Sequence, residues 1–494
     1  LSRFADFWRA RRTYLLVFAV SAVILGLFAW DNVLGPSRHF HFLDMANSFL
    51  SGRLDTDTPK RFRNGSPRPE DRRGLQDAVN RHLGDGRGGT VGWNDWATVR
   101  VIKMTDGSEV KGVFPWSDQA GDQKKRFRTF DGSMRIIDPQ LDIARDCGDP
   151  PRRCDETKNY VSFPPFPAFA MMPAFLVWGY DVNDVLFTVL NGALNALLLL
   201  LLLETLRTRG LSTRTTRENV VLTVLFTFGT VHFFSAIRGE VWFSALIMGV
   251  TLHILYVLLA LQARHPFWAG LMLALGMATR TPIAFAFPFF ALEILRDGDR
   301  LRWPGWGFAL RKAVPFAIPI LAVGFALMAY NYARFENPFE FGHTFLANGT
   351  RASIRDHGLF SPWFLRANLA AAITNPPIFS GTEPFIHITR HGLSLFFTTP
   401  ALLFLFWPRT WGALGRNLAI TAFLVAIPNL FYQNTGWAQF GYRFALDFMP
   451  YLFVLLAVGG RPFTRGFYVA VAMSLLINAF GAVTFDRMGM FYYD

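Results

Sequence analysis

The chain has 494 residues, of which 51% are apolar and 17% charged, with 52 phenylalanines and a net charge of +13. Ordinary soluble proteins carry about 25% charged residues, so this composition excludes a disordered chain, a fibre and a disulfide scaffold, and argues against a soluble enzyme. The apolar residues fall in blocks of roughly 16–24, the length a helix needs to cross a hydrocarbon core of about 30 Å; membrane topology, not nucleic acid, then accounts for the positive charge.

The first block, residues 13–30, has a basic flank like a signal peptide. Its apolar run is too long for one and no small-residue cleavage site follows, so it reads as a retained first helix. Residues 41–50 then form an amphipathic stretch in which Phe42, Met45, Phe49 and Leu50 share one helical face. The polar region that follows is too long for a simple loop. Its Arg-, Gly- and Pro-rich part, 61–87, reads as a mobile excursion. Residues 98–104 largely alternate apolar and polar, Asp106 and Gly107 supply a turn, and 110–114 are again partly apolar, which predicts a β-hairpin. The two cysteines, Cys147 and Cys154, lie in this same region. On the extracytoplasmic side they would close a small loop as a disulfide, the alternative being two separate thiols. No His/Cys set with zinc-ligand spacing accompanies them.

Eleven spans are expected, centred on residues 13–30, 184–206, 220–237, 241–262, 266–278, 283–295, 314–332, 393–407, 418–432, 444–458 and 467–485. The block 163–179 carries Pro164, Pro165, Pro167 and Pro173, so its first half is not expected to be an ordinary helix interior. Charge decides how to read it. With the N-terminus and its Arg3, Arg9, Arg11 and Arg12 in the cytoplasm, and 163–179 juxtamembrane or re-entrant, the loops near 207–217, 264, 296–312, 409–416 and 461–465 all fall inside, and all bear arginine. The C-terminus is then extracytoplasmic. The reading is an all-α polytopic membrane protein of about eleven transmembrane helices, with a small extracytoplasmic α+β insertion in the first outer loop. Its segments are 1–55, first helix and juxtamembrane helix; 56–160, insertion; 161–333, re-entrant segment and spans two to seven; 334–392, second outer loop; and 393–494, spans eight to eleven.

The spans 266–278 and 283–295, about 13 residues each, are too short for a full bilayer. Their connecting turn, with Arg280, should face a cavity. An ionisable group at membrane depth is a functional candidate, although near helix ends a solvated or structural role is the commoner outcome. Asp44 sits on the amphipathic helix with His41 and Asn47 on neighbouring turns. Arg443 and Asp447 are spaced i, i+4, the spacing of a local ion pair. Lys158 and Tyr160 precede the proline run and would line the same cleft. A carboxylate opposed by cations suits transfer from a phosphate-linked donor: the cations hold phosphate, and the carboxylate takes a proton from the acceptor.

Several motifs carry a resemblance. The run His41–Asp55, the sequence Tyr160-Val-Ser-Phe-Pro-Pro-Phe-Pro-Ala with Phe166 in place of a usual Gly, Ala278-Thr-Arg-Thr-Pro, the Asn331-Tyr-Ala-Arg-Phe-Glu-Asn-Pro run, Gly392-Leu-Ser-Leu-Phe-Phe-Thr-Thr-Pro and Gly441-Tyr-Arg-Phe together resemble bacterial membrane glycosyltransferases of the C-type (GT-C) superfamily. That superfamily includes protein O-mannosyltransferases and aminoarabinose transferases. The resemblance implies an inner-membrane enzyme, a hexosyl- or pentosyltransferase, that takes sugar from a polyprenyl-phosphate donor on the extracytoplasmic side and passes it to a glycan, lipid or protein acceptor. By position Asp44 matches the first-loop catalytic acid and Glu240 is the nearest second acidic residue. Arg280 and Arg443 match donor-phosphate contacts, with Lys158 a further candidate, and His41, Tyr160 and Arg238 are expected at the acceptor side or cleft. The long insertion departs from the family pattern and leaves the acceptor open. No metal site is expected from ligand spacing, although Asp44 with Glu240 or His41 offers a place for a divalent ion. The competing readings are a transporter or flippase of a lipid-linked saccharide, and a scaffold displaying the insertion.

Overall fold

The computed structural model of the chain describes residues 2–37, 41–56, 96–114, 126–346 and 352–492; the stretch 61–87 and His39 lie outside the described residues. The fold is mostly helical. Six helices are long and apolar enough to cross a membrane: Arg12–Ala29, Asp184–Thr208, Val241–Ala263, Trp306–Phe335, Ala413–Phe431 and Arg465–Thr484. This is a polytopic membrane protein. Three shorter apolar helices, Pro266–Met277, Thr281–Leu295 and Met449–Val458, accompany them.

Local chemistry starts and stops these helices. Asn183 accepts the Leu186 N–H at 2.8 Å and so caps Asp184–Thr208, and Thr215 with Glu218 forms a capping box at the start of Thr216–Phe228. Several predicted spans are not continuous α-helices. The 220–237 block ends its first helix at Gly229, whose N–H closes on the Leu225 carbonyl at 2.7 Å, and resumes only as His232–Ala236. The 393–407 block is a single turn, Leu395–Thr398, followed by 3-10 helix Pro400–Phe406; Pro400 has no N–H to continue an α-helix. The proline block is more helical than expected. Helix Phe166–Trp178 starts after Pro164 and Pro165, holds Pro167 in its first turn and keeps Pro173 inside. A first-turn proline removes an N–H that has no helical partner anyway.

The chain divides into two compact units. The first comprises Leu1–Ser37, Asn183–Val323 and Phe360–Asp494. Its core is one cluster in which Leu199, Leu202, Leu203 and Leu206 pack with Leu222, Leu225 and Phe226 and with Ile247, Val250 and Ile254. The second comprises Arg38–Val182 and Gly324–Leu359. It holds the helix His41–Leu50 and an antiparallel sheet of β1 (Trp96–Lys103), β2 (Glu109–Val113), β3 (Arg126–Thr129), β4 (Met134–Ile136) and β5 (Asp155–Val161), in the order β4-β3-β2-β1-β5. The expected hairpin is β1 and β2, with Ile102 opposite Val110 across the Asp106–Gly107 turn. Alternation along these strands builds a small core on each face: Ala97, Val99, Val113 and Tyr160 with Phe335 and Phe345 on one, Ile102, Val110 and Phe127 with Ile137 and Ile143 on the other.

Cys147 and Cys154 form a disulfide with a Cα–Cα separation of 5.2 Å. Its loop also carries paired backbone bonds between Cys147 and Arg152, at 2.8 and 3.2 Å. Cross-linking so short a loop removes roughly 2–3 kcal/mol of chain entropy from the unfolded state. The Cys147→Ser/Cys154→Ser protein should therefore show faster hydrogen exchange in β1 and β5. Unchanged exchange would mean that the backbone bonds alone hold the loop.

Candidate functional site

The expected site residues fall into two groups. His41, Asp44, Lys158 and Tyr160 belong to the second unit, and Arg238, Glu240, Arg280 and Arg443 to the first.

In the second unit, His41 opens its helix and is buried with its imidazole stacked on Trp96, ring centroids 3.9 Å apart. Trp96 in turn donates its indole N–H to Thr56 Oγ1 at 3.1 Å. Asp44, one turn on, is 3% exposed and accepts a hydrogen bond from the Tyr180 hydroxyl at 2.9 Å. The amphipathic helix thus buries Asp44 along with its apolar face. Tyr160 on β5 is buried edge-on against Phe335, 5.3 Å between centroids, and desolvation pushes its phenol up to about 12. It is a neutral side chain at physiological pH. Lys158, also on β5, lies 3.9 Å from Glu156, a long surface pair.

In the first unit, Arg280 stands in the turn between the two short helices, as expected, and its charge is met by a protein carboxylate. Nε and Nη2 donate to Asp447 Oδ1 and Oδ2 at 2.6 and 2.7 Å, and Asn429 donates to Oδ2 at 2.9 Å. Both side chains are largely buried, 12% and 1% exposed. The i, i+4 partnership of Arg443 with Asp447 is not formed. Residues Arg443–Asp447 are 3-10 helix, which does not place i and i+4 over one another, and Asp447 pairs across 167 residues of sequence instead. Arg443 is buried and donates from Nη1 to the Ala438 carbonyl at 3.0 Å.

Three arginines are strung along two rings. Arg238 and Arg443 lie 5.3 and 5.0 Å from the centroid of Phe243, and Arg443 and Arg280 lie 5.8 and 5.5 Å from that of Phe444. Arg280 and Arg443 thus both border the Phe444 ring. Arg238 is neutralised by Glu240 at 2.8 Å and by Asp486 at 2.5 Å. Gly239 makes this corner possible: a Cβ there would come within 2.6 Å of the Val185 nitrogen and 2.8 Å of Asp184 Oδ1. Asp184, which the sequence reading did not single out, is buried and accepts the N–H and the hydroxyl of Ser37, each at 2.6 Å. Its only local signal was its place behind the Asn183 cap. Asp486 and Tyr180 were missed for the same reason; neither belongs to a motif.

At Tyr442, next in the chain to Arg443, an apolar groove begins. Its cavity of about 390 Å³ runs along helix Ala413–Phe431 from Ala419 to Leu430, with Tyr442 and Phe448 at one end and Arg214, Trp411 and Arg461 at the other. Eleven helical rises make it about 16 Å long, roughly half the hydrocarbon core.

Asp44 and Glu240, considered together for a divalent ion, lie in different units. Among the described residues, the one cluster of three His, Cys, Asp or Glu ligand atoms is Asp146 with Cys147 and Cys154, whose sulfurs are bonded to each other. No family model, no curated protein and no solved structure matches the chain.

Proposed function

We propose that the protein is an inverting membrane glycosyltransferase with a GT-C-like fold of about eleven spans. It transfers a sugar from a polyprenyl-phosphate donor to an extracytoplasmic glycan, lipid or protein. The observation that carries this reading is the apolar groove ending at Tyr442, next in the chain to a buried arginine, Arg443. A ligand with a long hydrocarbon chain and a phosphate at one end matches that combination, and a soluble nucleotide sugar does not.

In this mechanism the acceptor hydroxyl attacks the sugar's anomeric carbon as its bond to the phosphate oxygen breaks. Polyprenyl phosphate leaves, and the configuration inverts. Asp44 takes the hydroxyl proton. Arg443 offers its guanidinium to the departing phosphate. Arg280, clamped by Asp447, supports the same anion at longer range. Glu240, ion-paired with Arg238, is the second candidate base. A flippase for the same lipid is the alternative. It would have to carry a sugar past a groove wall of Ala422, Phe423, Ala426 and Leu452, with no polar group to replace water.

Purified protein incubated with an undecaprenyl-phosphate monosaccharide should bind it and release polyprenyl phosphate with transfer of the sugar. Binding without turnover would favour the flippase, and no binding would end both readings. The proposed topology has its own check. The loops near 210–213, 296–304 and 409–412, which the charge rule puts inside, do line one common cavity. Reporter fusions at Arg209 and Asp494 should report opposite sides of the membrane; a shared side would refute the arrangement.

A further inference from the structure

The groove does not stop at the end that holds Arg214 and Arg461. There it shares the walls formed by Trp411, Leu455 and Gly459 with a second, polar cavity of about 1260 Å³. Glu293 and Arg296 in its wall satisfy each other with two bonds of 2.7 Å, and Glu293 is further held by the Gln262 N–H and by Asn417. Four other lining groups are different. Arg302, Arg409, Asp297 and Asp299 are exposed to the cavity region and make no ion pair among the described residues. Two cations and two anions thus face one chamber without cancelling each other. Around it, Trp303, Trp306, Trp407 and Trp411 are each more than half exposed, the placement of tryptophan at a membrane–water boundary.

An occupant must therefore carry both signs of charge and an apolar chain, and must reach the chamber from the interface. We infer that this chamber binds a phospholipid whose headgroup carries a phosphate and a primary ammonium, a phosphatidylethanolamine, with one acyl chain in the adjoining groove, which it and the donor's polyprenyl chain occupy alternately. The phosphate would face Arg302 and Arg409, which offer donors, and the ammonium Asp297 and Asp299, which offer acceptors. A choline headgroup has no N–H to give those carboxylates, and a glycerol headgroup has no cation. The groove supplies the apolar surface that a chainless headgroup cannot use. Lipid retention is a measurement separate from sugar transfer, so it fails independently of the reading above.

The test uses the full chain in a neutral detergent, exposed to equal amounts of phosphatidylethanolamine, phosphatidylcholine and phosphatidylglycerol, with retained lipid counted by native mass spectrometry. Phosphatidylethanolamine should be retained roughly tenfold over the other two. Asp297→Asn/Asp299→Asn should bring it down to their level, and Arg302→Gln/Arg409→Gln should lower all three. These four side chains are exposed, so the variants should melt like the wild type. Equal retention of the three lipids, an unchanged order in the Asn pair, or displacement of the lipid by an equal concentration of glycerophosphoethanolamine would each overturn the proposal.

Discussion

Asp44→Asn should lower turnover of a polyprenyl-phosphate sugar by roughly 10²–10⁴ while its affinity for polyprenyl phosphate changes little. The amide keeps the size of the carboxylate and can still accept the Tyr180 hydroxyl bond seen at 2.9 Å, but it cannot take a proton. Because Asp44 is 3% exposed, bulk water is a poor substitute for it. Tyr180→Phe gives a graded companion. It removes one neutral hydrogen bond, worth about 0.5–1.5 kcal/mol, and should reduce turnover by about tenfold or less. Single-turnover kinetics on both variants, with binding measured separately, would separate the two effects. Near-normal turnover in Asp44→Asn would remove it from the mechanism. Glu240 would then be tested next, against the handicap of its bidentate contact with Arg238.

The second large effect is on folding. Asp447→Ala strands the Arg280 guanidinium in a site where only 12% of its side chain reaches the surface, and also strips Asn429 of its acceptor. Breaking a buried pair from one side costs roughly 3–5 kcal/mol, so the variant should melt well below the wild type in detergent. Arg280→Met/Asp447→Leu, which removes both charges, should recover most of that loss. The pair also decides what Arg280 is for. If the double variant melts normally and still binds polyprenyl phosphate with wild-type affinity, Arg280 is structural, and Arg443 alone carries the phosphate. Weakened binding in a normally melting double variant would place Arg280 in the phosphate site.

Local order was written in the sequence because its causes are local. Apolar runs long enough to span hydrocarbon become helices since, in lipid, a backbone can satisfy its N–H and C=O groups only within itself. The caps at Asn183 and Thr215 mark where two of them start. The β1–β2 hairpin followed from alternation around an Asp-Gly turn, and the cysteine pair from two thiols seven residues apart. The positions of Asp44 on its helix and Arg280 in its turn were equally legible. Their partners were not. Arg280 meets Asp447 across 167 residues, Asp44 meets Tyr180 across 136, and Arg238 meets Asp486 across 248. Nor did hydropathy reveal the interruptions at Gly229 and Pro400, since it sums side chains and is blind to a missing N–H or a backbone turn. Residue type and spacing decide where a charge can stand along a helix. Which opposite charge reaches it is decided by how helices far apart in the chain pack, because only that packing determines which side chains leave water together.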